Sequence, residues 1–550
     1  MSESITMPVP RASILRVSLQ QEGGTTRMAA STAASATARR LAVLPLAALA
    51  LALSGCVLGP DYARPESLAS EHYVNAEPGA VASQSADVSG TVPAFDTAAP
   101  DPQTLARFWR EFQDPVLEGL IDRALAANRD LRVAEARLAE ARAARREALT
   151  VLFPTVTAGG SRQRSSLAPA EAPGAPPEAR ESDYYEAGFD ANWEISLFGR
   201  NVRGVAAQRA FAEAAQAQVW GAQVAVTAEL ARQYFELRGL QRRLQIAMRN
   251  AETQRESLGI VQARLDSGSG SDFDRALAEA QYQTTLATIP QLETAIARAT
   301  YRIGTLTGEP PAAHAALLGA PWEAPPLPEV RLIGSPESML RRRPDVIAAE
   351  RNLAGRTHLI GYRMADLFPK ITFSGRIGYA AEDLGDLGQS GTRTWRFGPS
   401  ISWAAFDIPR VLQQVRAEQA RTDGALAEYE QAVLLALEDA EGALNGYGRN
   451  AAERDHRERA ARAAADAVKL ARLRFDAGYS DFQAVLEAER SLLQTEDALA
   501  LSQVQAATAL IGVYKALGGG WVSREDDDAV HGIAAPQAAA DGTDADASDG

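Results

Sequence analysis

The sequence predicts a mixed fold of long α-helices and membrane-spanning β-strands, written twice along one chain. Each chain is expected to supply four membrane strands. Three copies then close a 12-stranded trimeric β-barrel, which continues as a long α-helical barrel. Three observations predict this. One set of residues recurs in the same order about 210 positions further on. Three segments alternate apolar and polar residues with period two, the signature of a strand with two different faces. Two stretches, 201–265 and 411–475, contain no proline and only isolated glycine, so nothing breaks a helix.

The chain starts with an address. Arg39 and Arg40 precede an uncharged apolar run from Leu41 to Leu53, followed by Ser54, Gly55 and Cys56. A basic region, a short apolar core and small residues before a cut define a secretory signal over 1–55. The run is too short for a transmembrane helix, which needs about 20 residues. Residues 1–27 carry Glu3, Arg11, Arg16 and Glu22 and have no apolar core, so Met28 is an alternative start that gives a signal of ordinary length. Leu53-Ser54-Gly55-Cys56 resembles the lipobox of bacterial lipoproteins. That resemblance implies cleavage before Cys56, a thioether-linked diacylglycerol on its sulfur and an acyl chain on its new amine. Val57 in place of an acidic residue permits sorting to the outer membrane. Residues 56–106, rich in Ser, Ala, Pro and Gly, read as a lipidated tether.

Two units follow, 107–310 and 330–520, joined by a Pro-rich linker over 311–329. Asp130, Ala134, Glu135 and Leu138 return as Asp345, Ala349, Glu350 and Leu353, and Leu152-Phe153-Pro154 returns as Leu367-Phe368-Pro369, both offset by 215. Trp193 and Arg200 return as Trp403 and Arg410, offset by 210. Arg264-Leu265-Asp266-Ser267-Gly268 returns as Arg474-Phe475-Asp476-Ala477-Gly478 at the same offset, and Ser271-Asp272-Phe273 returns as Ser480-Asp481-Phe482. Shared alanine-rich composition does not place Phe-Pro or Ser-Asp-Phe in register.

The first unit has strands at about 155–165 and 184–197, the second at about 370–380 and 394–405. Tyr185, Ala187, Phe189, Ala191, Trp193 and Ile195 alternate with Glu186, Gly188, Asp190, Asn192 and Glu194. Ile371, Phe373, Ile377 and Tyr379 alternate with Thr372, Ser374, Arg376 and Gly378. Trp395, Phe397, Ile401 and Trp403 alternate with Arg396, Gly398, Ser400 and Ser402. The segment after Pro154 alternates more weakly. Apolar-out, polar-in segments of about 10 residues with interfacial aromatics describe transmembrane β-strands. A soluble half-buried sheet shows the same alternation, and the lipoprotein signal favours the membrane. The long helices then reach about 100 Å each, and 272–306 and 481–517 return for about 50 Å. Pro290 is expected to kink the first of the returning helices. The end, 521–550, with Asp526-Asp527-Asp528 among Ala and Gly, reads as a disordered acidic tail.

Composition narrows the function. The formal charge is −14, and removing 1–55 takes it to −17, so the chain is a poor match for nucleic acid. One cysteine excludes an intrachain disulfide and a thiolate zinc cluster. The five histidines are scattered, and no P-loop, G-x-S-x-G or dinucleotide motif occurs, so neither a metal site nor a catalytic residue is assigned and no enzyme is expected. The only attachments expected are the lipid chains on Cys56. Four strands cannot close a barrel. Eight from two chains close one filled with side chains, and twelve from three chains leave a lumen for Glu186, Asp190, Glu194, Arg376 and Arg396.

The chain resembles the TolC-type outer membrane factors, in particular the lipoprotein (NodT- or OprM-like) branch that serves RND efflux pumps. The resemblance rests on the lipobox, Gly59-Pro60-Asp61-Tyr62-x-Arg64-Pro65, Trp193-Glu194-Ile195-Ser196-Leu197-Phe198-Gly199-Arg200, Arg342-Arg343-Pro344-Asp345-Val346 and Val485-Leu486-Glu487-Ala488-Glu489-Arg490-Ser491-Leu492-Leu493. It spans about 56–521. It implies a homotrimer in outer membrane lipid, docked to a periplasmic adaptor (membrane fusion) protein and an inner-membrane RND transporter, passing drugs and toxic organic compounds without an energy source of its own. It implies that the hairpin tips contact the adaptor, here Gly268, Ser269, Gly270, Ser271, Asp272 and Phe273, and Gly478, Tyr479, Ser480, Asp481 and Phe482. It places the periplasmic gate at Glu487 and Arg490, where many members have Asp for Glu487. The first unit has Ala278 and Gln281 at those places. Apart from the resemblance, Glu487 and Arg490 read as a solvated i,i+3 pair. Metal export, type I protein secretion and a coiled-coil spacer between envelope layers are the alternatives. Only six methionines, scattered along the chain, speak against a metal cargo.

Overall fold

The structure, a computed structural model, describes residues 57–66, 69–76, 95–322, 327–328, 330 and 332–521. The signal over 1–55, Met28, Cys56 and residues 522–550 of the acidic tail lie outside the described residues.

The first unit opens with α1 (Pro115–Ala127) and α2 (Arg129–Thr150). Asp114 caps α1 by accepting from the amides of Val116 and Leu117, and Asn128 caps α2 through Asp130 and Leu131. Strands β1 (Thr155–Ser166) and β2 (Glu181–Ile195) follow, then α3 (Arg200–Asp266) and α4 (Asp272–Leu306). The second unit has α5 (Pro336–Arg342), α6 (Pro344–Met364), β3 (Lys370–Ala381), β4 (Arg393–Ser402), α7 (Ile408–Asp476) and α8 (Phe482–Ala516). At 67 and 69 residues, α3 and α7 extend about 100 Å. Helix α4 runs unbroken through Pro290.

The four strands form one antiparallel sheet in the order β1-β2-β3-β4. Thr155 faces Asn192, Trp193 faces Phe373, and Lys370 faces Ser402. Register puts Phe189, Ile377 and Trp395 on one face, with Trp193, Phe373 and Ile401. The opposite face carries Glu186, Asp190 and Arg376, joined by Arg376–Glu186 (2.7 Å) and Arg376–Asp190 (3.8 Å). The apolar face stays exposed, with Trp395 at 68% and Ile401 at 71%. Burying such aromatics on one side only is what a lipid-facing sheet does.

Two strand limits differ from expectation by three residues, and the rest by at most two. Strand β4 ends at Ser402 and not at 405, because its partner β3 begins at Lys370, right after Pro369, which has no amide hydrogen to offer. Strand β2 starts three residues early, at Glu181, because β1 extends to Ser166 and pairs with it.

The main core lies where the short helices meet the middle of the long ones. Phe108, Phe112, Leu117, Leu120, Ile121, Tyr234, Leu237 and Leu510 are essentially inaccessible there. The linker takes part in this core. Leu318 is buried, its carbonyl accepts from Arg238 (3.0 Å), and Trp322 donates to Asp114 (2.8 Å), which also accepts from Tyr234 (2.6 Å).

Candidate functional site

Three places bear on function: the junction of sheet and helices, the hairpin tips, and the stretch of α8 above the second tip.

At the junction, the tether is seated on the folded unit. Arg203, on the second turn of α3, is buried. Its Nε donates to the Leu58 carbonyl and its Nη2 to the Gly59 carbonyl, both at 3.0 Å, and its Nη1 lies 2.8 Å from Asp61. The Leu58 amide donates to the Phe198 carbonyl. Gly59 passes so close to Gly361 of α6 that a Cβ on it would lie 2.3 Å from the Gly361 Cα. Tyr62 donates to Glu350, and Arg64 pairs with the same carboxylate at 3.3 Å. Further on, Glu441 of α7 accepts from the amides of Val74 and Asn75. The residues after Cys56 are therefore clamped where the sheet meets the helices. Composition alone does not reveal this, because the clamping groups lie more than a hundred residues away. Next to the clamp, burial and then the Arg203 guanidinium hold the His358 imidazole below its ordinary pKa of 6.5.

A cleft of about 560 Å³ opens at the same level, lined by Arg200, Arg363, Lys370, Arg410, Asp366 and Trp403. Arg200 and Lys370 both pair with Asp366, at 3.1 and 2.9 Å. The Trp193 and Trp403 indoles donate to the Leu152 and Leu367 carbonyls, both at 3.0 Å. The repeated Leu-Phe-Pro and Trp thus pin each strand pair to its helix.

The tips are tight helix reversals. Gly268 and Gly478 adopt φ of 76° and 78°, a left-handed conformation that glycine takes without a Cβ clash. Ser269 donates to the Arg264 carbonyl and Tyr479 to Arg474, the six-to-one bond that closes a helix C-terminus. Ser271 then caps α4 and Asp481 caps α8. Gly268, Ser269, Ser271, Asp272, Phe273, Gly478, Tyr479 and Asp481 are exposed, and Gly270 and Ser480 are half-buried. Phe482 is not a surface group, as the resemblance had implied. It is 4% exposed, 5.3 Å from the Phe475 ring, in a small cluster with Val261, Ala278 and Val485. Its counterpart Phe273 is 64% exposed. One turn of apolar cluster holds the second tip, so its aromatic turns inward.

Glu487 and Arg490 are both exposed on α8, and no ion pair joins them among the described residues. The solvated i,i+3 pair does not form. Their neighbour Glu489 points the other way. Its side chain is 2% exposed, accepts from Ser257 (2.9 Å) and pairs with Arg472 (2.7 Å). This buried carboxylate ties α8 to both α3 and α7. Sequence reasoning passed over it, although it lies on the opposite helix face from Glu487. Higher up, Arg243–Asp497 (2.6 Å) and Arg249–Glu496 (2.6 Å) continue the seam between α3 and α8. Near the other end of α8, Arg343 is clamped by Asp345 (2.6 Å) and Asp439 (3.0 Å), and the guanidinium holds the Asp345 carboxyl below the usual carboxylate range against its burial. Here the Arg-Arg-Pro-Asp motif is a structural staple.

No helix among the described residues is long and apolar enough to cross a membrane.

Comparison with known proteins agrees with this geometry. The sequence matches the family described as outer membrane efflux protein over residues 120–309 and 335–519. Outer membrane protein OprJ of Pseudomonas aeruginosa is 29% identical over 490 residues, covering 86% of this chain and 95% of that protein. A toluene efflux pump outer membrane protein, TtgC of Pseudomonas putida, is 29% identical over 484 residues, covering 87% and 96%. The outer-membrane channel OprN superposes with a TM-score of 0.75 at 38% identity, over 85% of this chain and 100% of that one. The family match takes in both units, and a sheet with one lipid-suited face and one charged face sits at the end of helices that leave the membrane level, so this chain belongs to the outer membrane efflux proteins.

Proposed function

We propose that this outer membrane efflux channel is the passive exit duct of a tripartite system. Three copies form the 12-stranded barrel and the helical barrel below it. A periplasmic adaptor docks at the tips, and an inner-membrane RND transporter supplies the energy. Small organic compounds, drugs and toxic solvents among them, are the cargo. The observation that carries this reading is the sheet: four strands with a wet, charged face and an apolar face are a fraction of a barrel that only further copies complete.

Cys56 carries the lipid chains. The clamp on Leu58, Gly59 and Asp61 supports this, since it holds the following residues at the level where the sheet begins. The exposed tip residues, Phe273 and Tyr479 foremost, meet the adaptor. Glu487 and Arg490 form the gate by pairing between copies, which their exposure and lack of a side-chain partner among the described residues support. Glu487→Ala or Arg490→Ala is expected to raise single-channel conductance in planar bilayers, and unchanged conductance in both removes them from the gate.

The main experiment is accumulation of a fluorescent pump substrate in a deletion strain, with and without the gene supplied on a plasmid. Greater retention on deletion and restored export on complementation support the reading. Unchanged retention, with a broad panel of organic dyes, rejects small organic cargo.

A further inference from the structure

The two halves of the sheet share one register. Shifting the β1–β2 pair Thr155–Asn192 by 215 and 210 gives Lys370–Ser402, which is the pairing seen in β3–β4. The same two offsets carry the junction between the units, β2 against β3, onto the open edges of the chain. Moving β2 forward by 210 gives β4, and moving β3 back by 215 gives β1. Asp190–Arg376 then becomes Ser400–Ser161, Ala191–Gly375 becomes Ile401–Gly160, and Trp193–Phe373 becomes Trp403–Ala158.

Two independent features of the edges fit this register. First, it keeps the faces. Ile401 lies on the apolar face with Gly160 and Ala158, and Ser400 lies on the polar face with Ser161. A slip of one residue would invert every side chain. Bulky residues on β4 meet small ones on β1, as Phe397 already covers Gly375, whose Cβ would lie 2.7 Å from that ring. Second, the helices flanking the edges are complementary in charge. Across the inner junction, the Phe211 ring of α3 lies on Gly355 of α6, and Arg200 donates to the Tyr362 hydroxyl at 2.5 Å. The matching edge residues are Arg421 with Glu140, and Arg410 with Glu147. All four are exposed; neither glutamate has a side-chain partner among the described residues, while Arg421 also pairs with Glu418 (2.7 Å) and Arg410 with Asp407 (2.5 Å) on its own helix turn.

We propose that the β4 edge of one copy pairs antiparallel with the β1 edge of the next in the register Ser400–Ser161, with Arg421 against Glu140 and Arg410 against Glu147 of that next copy. This rests on the trimeric reading above and specifies its interface. The occupant is a second copy of this chain, because the edges match each other and the same repeat generates both junctions.

The natural sequence holds one cysteine, Cys56, so engineered pairs report cleanly. Within one chain Ser161 and Ser400 are three strand spacings apart across the sheet, about 14 Å, and eight residues apart along it, about 26 Å, beyond the reach of a disulfide. The full-length protein carrying Ser161→Cys and Ser400→Cys is expected to give covalent trimers on oxidation. The pair Ser165→Cys and Ser400→Cys, on the same face but displaced by about 13 Å, is expected to give none. Separately, Arg421→Glu is expected to lower the fraction of trimer that survives detergent, and adding Glu140→Arg to restore it. Links through position 165 in place of 161, or no rescue by the swap, overturn the register while an amine cross-linker still traps trimers. If that cross-linker traps only monomers of the unmodified protein, the trimeric reading itself has failed.

Discussion

The junction between the two units and the outer edges of the chain occupy matched positions but are built by different means. Inside, α3 meets α6 through an aromatic ring on a glycine and a buried arginine, and meets α8 through Arg243–Asp497, Arg249–Glu496 and Glu489 with Ser257. At the matching places on the edges stand Arg421 and Glu140, Glu453 and Thr288, and Ala280 in place of Glu489. The inner junction is sealed by packing and desolvated charge. The edges keep charges that water can solvate before any second copy arrives. The difference teaches that a repeated unit can be joined to itself permanently on one side and reversibly on the other by changing a few residues at equivalent positions. It also makes the tips unequal, since the buried cluster takes in the aromatic of the second, Phe482, and leaves that of the first, Phe273, exposed.

The largest expected effect tests the inner junction. Arg472→Ala leaves the Glu489 carboxylate buried beside Ser257 without its cation. Removing one partner of a fully buried pair costs about 3–5 kcal/mol, and because the Arg472 side chain is 38% exposed the lower end is expected. Hydrogen exchange is expected to show lost protection where α7 and α8 approach the tip. The equivalent change in the first unit, Gln262→Ala, is expected to stay within about 0.5 kcal/mol, as surface changes do. Equal effects from both would erase the asymmetry.

Next comes the sheet. Phe397→Arg puts a charge on the apolar face midway along β4 and is expected to cost about 2–4 kcal/mol, whereas Ser400→Arg, three residues away, lies on the polar face and is tolerated. Reversible folding into detergent micelles or lipid vesicles measures both. If Ser400→Arg is the costlier, the faces are assigned the wrong way round.

The smallest effect concerns the clamp, present only at the inner junction, since Ala143 and Gln413 replace His358 and Arg203 at the edges. The His358 pKa is lowered in the folded chain, so the unfolded chain binds its proton more tightly. Stability from this group is full above about pH 6.5 and declines as pH falls below it. Thermal unfolding between pH 5 and 7 is expected to show a shallower decline in His358→Asn than in the unmodified chain. Identical slopes would remove the imidazole from the pH response.

Much of this was legible in one dimension. The repeat offsets of 215 and 210 fixed which strands match, and period-two alternation identified the two faces, because a strand exposes alternate residues whatever it packs on. Gly268 and Gly478 marked the reversals because a helix end needs a left-handed residue there. Other features were not legible. Phe273 and Phe482 hold matching places in the sequence, yet one is exposed and the other buried, because α8 lies between α3 and α7 near the second tip. Residues 57–66 looked like a tether because their composition is that of a linker, and only Arg203, Glu350 and Gly361, far along the chain, seat them.

The sequence by itself determined the element order, the two faces of the sheet and which strands of the two units match. All of these follow from local periodicity and from repetition. Tertiary structure alone decided which of several similar charges are buried, where the N-terminal strap is clamped and which tip aromatic turns inward. Those depend on which helices become neighbours, and burial of a charge such as Glu489 is possible only where Arg472 and Ser257 converge on it from two different helices.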